Sequence, residues 1–305
     1  MKVSSLFKKN YFIILKVSLV SFIFAYAFFI STTVAGTFQY SANLKDAMWS
    51  LSKNSPLQCT LSHYIPRYGV AKFSSKANKN LNMSFEIDML LLPDNYSLAT
   101  IRSEPPPWRP GESGKKLGNM QLYKQFNAGL SKKMAWTMLG ELEQGMNPTF
   151  YYNHWYNQEN SISVGISSAK FKKAYSDFVF CVSNLLNYSF DDIAFTVLNY
   201  QSDSDELTVA SKARFEKIKK FISLVQGVDV VLVDAYSDSY GGRNKNLALS
   251  KSRANKIKDT FVKSGIEATI IETQGHGEKK HIATNANTLG RGKNRRVVIK
   301  MEHAF

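Results

Sequence analysis

The chain has 305 residues, 44% of them hydrophobic and 21% charged. That supplies enough apolar material for two domains of ordinary size, each with its own core, which excludes a chain that cannot fold. Lys and Arg outnumber Asp and Glu by 39 to 24, a formal net charge of +15, which points to an anionic partner without specifying it.

The first 35 residues stand apart. Lys2, Lys8, Lys9 and Lys16 are their only charges, Val17 to Ile30 is an apolar run, and Ser31-Thr32-Thr33-Val34-Ala35-Gly36 follows. A basic start, a short apolar stretch and a small-x-small ending predict a cleavable export signal, cut after Ala35. A retained anchor over Val17 to Ala35 is the alternative. No later stretch is apolar enough to cross a bilayer, and neither cysteine follows the apolar run as a lipid-attachment site would require. Export places Cys59 and Cys181 in an oxidising compartment, where an even and minimal count reads as one disulfide; two buried thiols are the alternative.

Residues 36–189 read as a β-rich domain. Leu81 to Leu91 places Leu81, Met83, Phe85, Ile87, Met89 and Leu91 on alternate positions, which predicts a half-buried strand. Shorter strands are expected at Cys59 to Ile65, Val70 to Phe73, Ser97 to Ile101, Thr149 to Tyr152 and Ser161 to Ile166. Three-and-four spacing predicts helices over Ser131 to Gln144 and Ala169 to Leu186. Pro105 to Pro110 around Trp108 should be stiff and extended, as a docking ridge or an ordinary loop. The aromatic run Phe150, Tyr151, Tyr152, Trp155, Tyr156 fits core and strand edge or, less readily, a binding surface.

Residues 190–305 change pattern. Strands are expected at Ile193 to Tyr200, Val228 to Ala235, Ile266 to Thr273 and Arg296 to Met301, with helices over Thr208 to Gln226 and about Leu247 to Lys263. The almost wholly apolar Val228 to Ala235 should be a central strand covered on both faces. The fold class is therefore α+β: a β-rich domain followed by a two-layer βαβαβ domain with helices on one side.

Asp238 falls just past the end of the central strand, where ligand sites form in sheets of this kind. Asn246, Ser250, Arg253 and Ile257 share one helical stripe beside the apolar set Leu247, Ala254, Ile257 and Phe261, so Arg253 can reach the strand end. An acid and a forked base together suit a zwitterionic head group, with an ammonium on Asp238 and a carboxylate on Arg253. A plain Asp–Arg salt bridge explains the same spacing.

Asp238, Asn246-x-x-Leu249-Ser250-x-x-Arg253-Ala254, Gly275-x-Gly277-Glu278 and Asn294-Arg295-Arg296-Val297 resemble the OmpA-like peptidoglycan-binding family over about 110 residues. The resemblance implies that Asp238 receives the amino group of diaminopimelate in the wall peptide and Arg253 its carboxylate, with Ser237, Asn246 and Leu249 in the same site. Ala235, Ser237 and His281 stand where the family commonly has Gly, Thr and Pro. Pro56-Leu57-Gln58-Cys59, Phe73 to Lys79, Pro105 to Glu112 and Cys181 to Thr196 resemble the MotY family, T-ring components of sodium-driven polar flagellar motors. That resemblance implies a periplasmic scaffold that joins the flagellar basal body with MotX and helps hold stator units around the rotor.

His63, His154, His276, His281 and His303 show no metal-ligand spacing, and no nucleotide-binding or serine-nucleophile motif occurs. No cofactor, metal or enzymatic activity is expected. The basic set Lys279, Lys280, Arg291, Lys293, Arg295, Arg296 and Lys300 would suggest nucleic acid in a cytosolic protein; after export it suggests anionic wall material or a solvated face. The competing functions are a wall-anchoring outer-membrane or periplasmic protein unrelated to motility, and a wall-cleaving enzyme.

Overall fold

The computed structural model describes residues 36–202, 204–225 and 228–302; the expected export signal, residues 1–35, lies outside the described residues. No helix among the described residues is long and apolar enough to cross a membrane.

The N-terminal region begins with strands β1 (Thr37–Ser41), β2 (Trp49–Asn54), β3 (Gln58–Ile65), β4 (Gly69–Lys76) and β5 (Ser84–Met89). It continues with β6 (Ser97–Glu104), β7 (Lys115–Leu122), β8 (Ala128–Leu130), helix α1 (Lys132–Glu143), β9 (Asn147–Asn153), β10 (Ser161–Gly165) and helix α2 (Phe171–Ser183). The strands form two five-stranded sheets, ordered β1-β10-β9-β6-β7 and β2-β3-β4-β5-β8. Their apolar faces share one core. Leu61, Phe73, Phe85 and Ile87 of one sheet meet Ile101, Met120, Phe150 and Val164 of the other. Phe85 stacks on Phe150 at 5.7 Å between ring centres. Met138 and Leu139 of α1, with Phe171 and Phe178 of α2, complete this core. Cys59 on β3 is disulfide-bonded to Cys181 on α2, across 122 residues of chain.

The sequence pattern overstates one strand here. Leu81 to Leu91 shortens to β5 because Asn82 spends its side chain on β4: its Nδ2 donates to the Lys76 carbonyl and its Oδ1 accepts the Lys76 N–H, both at 2.8 Å. At the other end the Leu90 N–H turns to the Tyr68 carbonyl at 2.9 Å. Pro105 to Pro110 is a turn rather than an extended ridge. The Arg109 N–H bonds the Pro106 carbonyl at 2.9 Å, and its guanidinium holds the Gln144 carbonyl and Glu112. Of the aromatic run, Phe150 and Tyr152 lie in the core while Tyr151 and Tyr156 face outward.

The C-terminal region comprises a single helical turn α3 (Asp191–Ala194), β11 (Phe195–Asn199), α4 (Val209–Ile222), β12 (Val230–Tyr236), α5 (Arg243–Lys263), β13 (Ile271–Gly275), α6 (Thr288–Asn294) and β14 (Arg296–Glu302). Its sheet runs β11-β14-β12-β13, with β12 parallel to β13 and antiparallel to β14. The last strand in sequence thus inserts between the first two. Thr208 caps α4 by accepting the Ser211 N–H. The α4 residues Phe215, Ile218 and Phe221 and the α5 residues Ala254, Ile257 and Phe261 bury against Val231, Val233 and Ala235.

Three expectations fail in this region. The strand expected from Ile266 to Thr273 starts only at Ile271, and Ala268–Ile270 before it form a 3-10 turn. β12 is fully buried on one face only, since Val230, Leu232 and Asp234 are half-buried; the helices cover a single side of the sheet. Leu247, assigned to the apolar stripe of α5, is exposed because the helix begins four residues earlier than its periodicity indicates and its first turns extend beyond the core.

The two regions touch. Ala77 and Leu57 pack into the C-terminal core beside Leu186 and Tyr188. Within the N-terminal region Asn78 donates its N–H to the Leu186 carbonyl at 3.1 Å and Leu186 donates to Pro56 at 2.9 Å, while Lys79 pairs with Asp192 across the boundary.

Candidate functional site

The chain leaves β12 at Tyr236 and turns into Ser237 and Asp238. The Ser237 N–H bonds the Gly277 carbonyl at 2.8 Å and its hydroxyl bonds the Asp238 carbonyl at 2.9 Å, which fixes the turn. Facing it, α5 presents a stripe in which Asn246, Ser250 and Arg253 are all buried. The Ser250 hydroxyl accepts the Gly277 N–H at 2.8 Å, and Asn246 donates to Glu278 at 3.2 Å. The close helix–loop approach explains both glycines. A Cβ on Gly275 would lie 2.4 Å from the Lys251 backbone nitrogen, and Gly277 holds a left-handed φ of 59° against Leu247.

The C-terminal motif divides its work. Asn294 is fully buried, and its amide accepts the Ile282 and Ala283 N–H groups and donates to the Ala283 carbonyl and Asn285, fixing that loop. Arg295 binds Asp238 at 2.8 Å. Arg296 lies 3.9 Å over the Tyr236 ring and donates to the Lys280 carbonyl at 2.9 Å. Part of the basic cluster is therefore internal structure rather than a free cationic face.

These elements enclose a cavity of about 640 Å³ lined by Ser204, Asp205, Ser237, Asp238, Tyr240, Asn246, Leu249, Arg253 and Arg295. All five sequence-derived site residues line it. Ser237 and Asn246 also hold the scaffold, as their hydrogen bonds show. The simple Asp238–Arg253 bridge does not form; Asp238 pairs with Arg295 and accepts the Tyr240 N–H at 3.1 Å. Arg253 is 1% exposed, lies 4.2 Å over the Tyr200 ring and donates one N–H to the Ser204 carbonyl at 2.7 Å. Asp205 stands 3.7 Å from its Nε, too far for a hydrogen bond, and is itself held by Lys256 at 2.7 Å.

The Arg253 Nε and Nη1 and the Arg295 Nε are buried and have no hydrogen-bond partner among the described residues. Burial pulls the Arg253 pKa below its ordinary value, against the opposing pull of Tyr200 and Asp205. Unpaired guanidinium N–H groups in a charged cavity are receptors for an oxyanion, and Asp238 beside them is an acceptor for a cation. Tyr200, Asp205, Tyr240 and Arg295 were missing from the predicted site. Arg295 stood in a recognised motif, but its partner is 57 residues away. A larger cavity of about 1030 Å³ in the N-terminal region, lined largely by apolar residues such as Trp49, Leu51 and Phe171, carries no such set of unpaired donors among the described residues.

This sheet order and charged pocket occur where an OmpA family model matches, over residues 199–295, and a MotY N-terminal domain model matches residues 40–187. The outer-membrane lipoprotein YfiB of Pseudomonas aeruginosa is 33% identical over 100 residues, 33% of this chain and 59% of that protein. The C-terminal domain of Helicobacter pylori MotB superposes at 20% identity with a TM-score of 0.32, covering 36% of this chain and 85% of that one. The sodium-type flagellar protein MotY of Vibrio parahaemolyticus is 40% identical over 263 residues, 86% of this chain and 90% of its own length. The chain belongs to the MotY family of sodium-type flagellar motor components.

Proposed function

We propose that this chain is an exported, periplasmic scaffold of the sodium-driven flagellar motor. Its region 190–305 grips peptidoglycan, and its region 36–189 carries motor assembly with MotX, the basal body and the stator units. The observation that carries the wall contact is the pocket itself, with unpaired Arg253 and Arg295 donors beside Asp238. A diaminopimelate head group bears both charges. Its carboxylate fits the Arg253 fork and its ammonium the Asp238 oxygens, with Leu249 against the aliphatic stem. A binding role needs no cofactor and no bond cleavage. Torque on a stator requires a rigid anchor, and two grips on one chain reinforce each other through effective concentration.

The test is co-sedimentation of the full mature chain with purified sacculi. Asp238→Asn and Arg253→Lys keep approximate shape and should each remove most of the bound protein, while circular dichroism stays unchanged. Undiminished sedimentation of both variants overturns the assignment. Release of muropeptides from the sacculi would instead favour a wall-cleaving enzyme.

A further inference from the structure

A second cavity, of about 440 Å³, opens on the N-terminal region. It is lined by Asn95, Tyr96, Ser97, Leu98, Thr100, Tyr151, Tyr152, Asn153, His154, Trp155, Gln158, Ser161 and Ile162. Its size falls in the range of small-ligand sites. Register places its floor. Thr100 pairs with Tyr151, and Asn153 pairs with Ser161, so these four project from the outward face of the β1-β10-β9-β6-β7 sheet. The core-facing partners, Phe150 and Val164, are buried behind them. The 153–160 loop forms a wall and is tied down: the His154 N–H bonds the Asn160 carbonyl at 2.9 Å, and the Asn160 side chain accepts the Gly36 N–H at 2.8 Å.

The chemistry of this lining differs from the rest of the molecule. The chain is 21% charged, yet no Asp, Glu, Lys or Arg lines the cavity. Tyr96 is 70% exposed and Tyr151 37%, while Trp155 is braced by stacking on Tyr152 at 5.3 Å. The side-chain amides of Asn95, Asn153 and Gln158 bond to no protein group among the described residues. The Ser97 hydroxyl oxygen is buried without a partner. Aromatic faces offer an apolar platform to the C–H face of a ring. Uncommitted amides and hydroxyls can both donate and accept, which is what a set of sugar hydroxyls requires. No Asp, Glu, Lys or Arg lines the cavity, although Glu104 and Arg102 act on the Tyr151 hydroxyl from beside it, and a purely apolar ligand would leave the amides and Ser97 unpaired.

We propose that this cavity binds a neutral oligosaccharide. The site is separate from the Asp238–Arg253 pocket and does not depend on its assignment. Wall glycan strands and non-acetylated glycans share the required chemistry, and the probes distinguish them. The mature chain is titrated with chitotetraose and with maltotetraose, followed by calorimetry and tryptophan fluorescence. Saturable binding of at least one is expected. Preference for chitotetraose assigns an N-acetylated strand, and preference for maltotetraose a non-acetylated one. Tyr151→Ala and Gln158→Ala should each weaken binding about tenfold, the scale of one lost stacking contact or a lost hydrogen bond. Asp238→Asn should leave it unchanged. Both substituted side chains are on the surface, and near-ultraviolet circular dichroism checks the fold. No saturable binding of either saccharide, or binding that survives the Tyr151→Ala, Gln158→Ala double variant, overturns the proposal.

Discussion

The two regions treat their buried polar groups differently. In the N-terminal region His63 is fully buried, bonds the Met48 carbonyl at 2.9 Å and accepts the Ser167 N–H at 3.3 Å, and Tyr68 bonds Tyr152 at 2.9 Å. The disulfide closes the same region covalently. The C-terminal region holds neither cysteine, and it keeps three guanidinium nitrogens buried and without a hydrogen-bond partner among the described residues at one cavity. Paired interior groups hold a fold together, whereas unpaired ones aimed into a cavity hold binding capacity in reserve. The comparison implies that substitutions at the paired interior groups of the first region act on stability and those at the unpaired guanidinium groups of the second on binding.

The largest expected effect is on binding. Arg253→Lys keeps the charge but loses the fork and the stack on Tyr200, and it should cost sacculus binding at least about tenfold with little change in thermal midpoint. A large fall in midpoint with retained binding would reverse the comparison, making Arg253 structural.

Next comes the disulfide. For a loop of 122 residues the chain-entropy ceiling is about 4–5 kcal/mol. Cys59→Ser, Cys181→Ser should lower the urea midpoint sharply while leaving sacculus binding by the folded fraction intact. An unchanged midpoint would show that the β-sandwich core alone holds this region.

The imidazole of His63 gives a smaller, pH-dependent effect. Burial lowers its pKa from 6.5 to about 4. The unfolded chain therefore takes up this proton first as the pH falls. Stability from neutral His63 is complete above pH 6.5, declines between 6.5 and 4, and levels off below. The total is about 3 kcal/mol, of which about 2 is lost by pH 5. His63→Gln should flatten that part of the pH dependence in urea melts at pH 7 and pH 5. An equal acid loss in wild type and variant would assign it to carboxylates instead.

The extent to which the sequence revealed these features follows from where their signals lie. Local periodicity carries over well: Ser131 to Gln144 becomes α1 and Cys59 to Ile65 becomes β3, because each places its own apolar stripe. β7 was missed because Gly118 breaks its alternation, and α6 because seven residues with two glycines show no helical stripe. The five predicted site residues come together because strand end and helix stripe are both local patterns. Asp205 and Tyr200 approach Arg253 only through the loop after β11, a contact across about 50 residues that no spacing encodes. Ser237 and Asn246 line the pocket and also fix its loops, a second role that only hydrogen-bond partners reveal.

The smallest effect concerns the junction, where the comparison is sharpest because both regions contribute. Lys79 pairs with Asp192, and that contact with the Ser189 hydrogen bonds holds the Asp192 carboxyl down to about 2. Yet the lysine side chain is 68% exposed, so solvent screens the pair. Lys79→Ala should cost less than about 1 kcal/mol and preserve a single cooperative unfolding transition. Ala77 lies beside it, buried in the C-terminal core with Leu186 and Tyr188. Ala77→Asp places an unpaired charge in that core and should separate the melt into two transitions, since the apolar packing of Ala77 and Leu57 against the C-terminal core joins the regions. Calorimetry distinguishes these outcomes directly. If Lys79→Ala alone splits the transition, the ion pair holds the junction, and mechanical coupling between motor and wall contacts becomes sensitive to ionic strength.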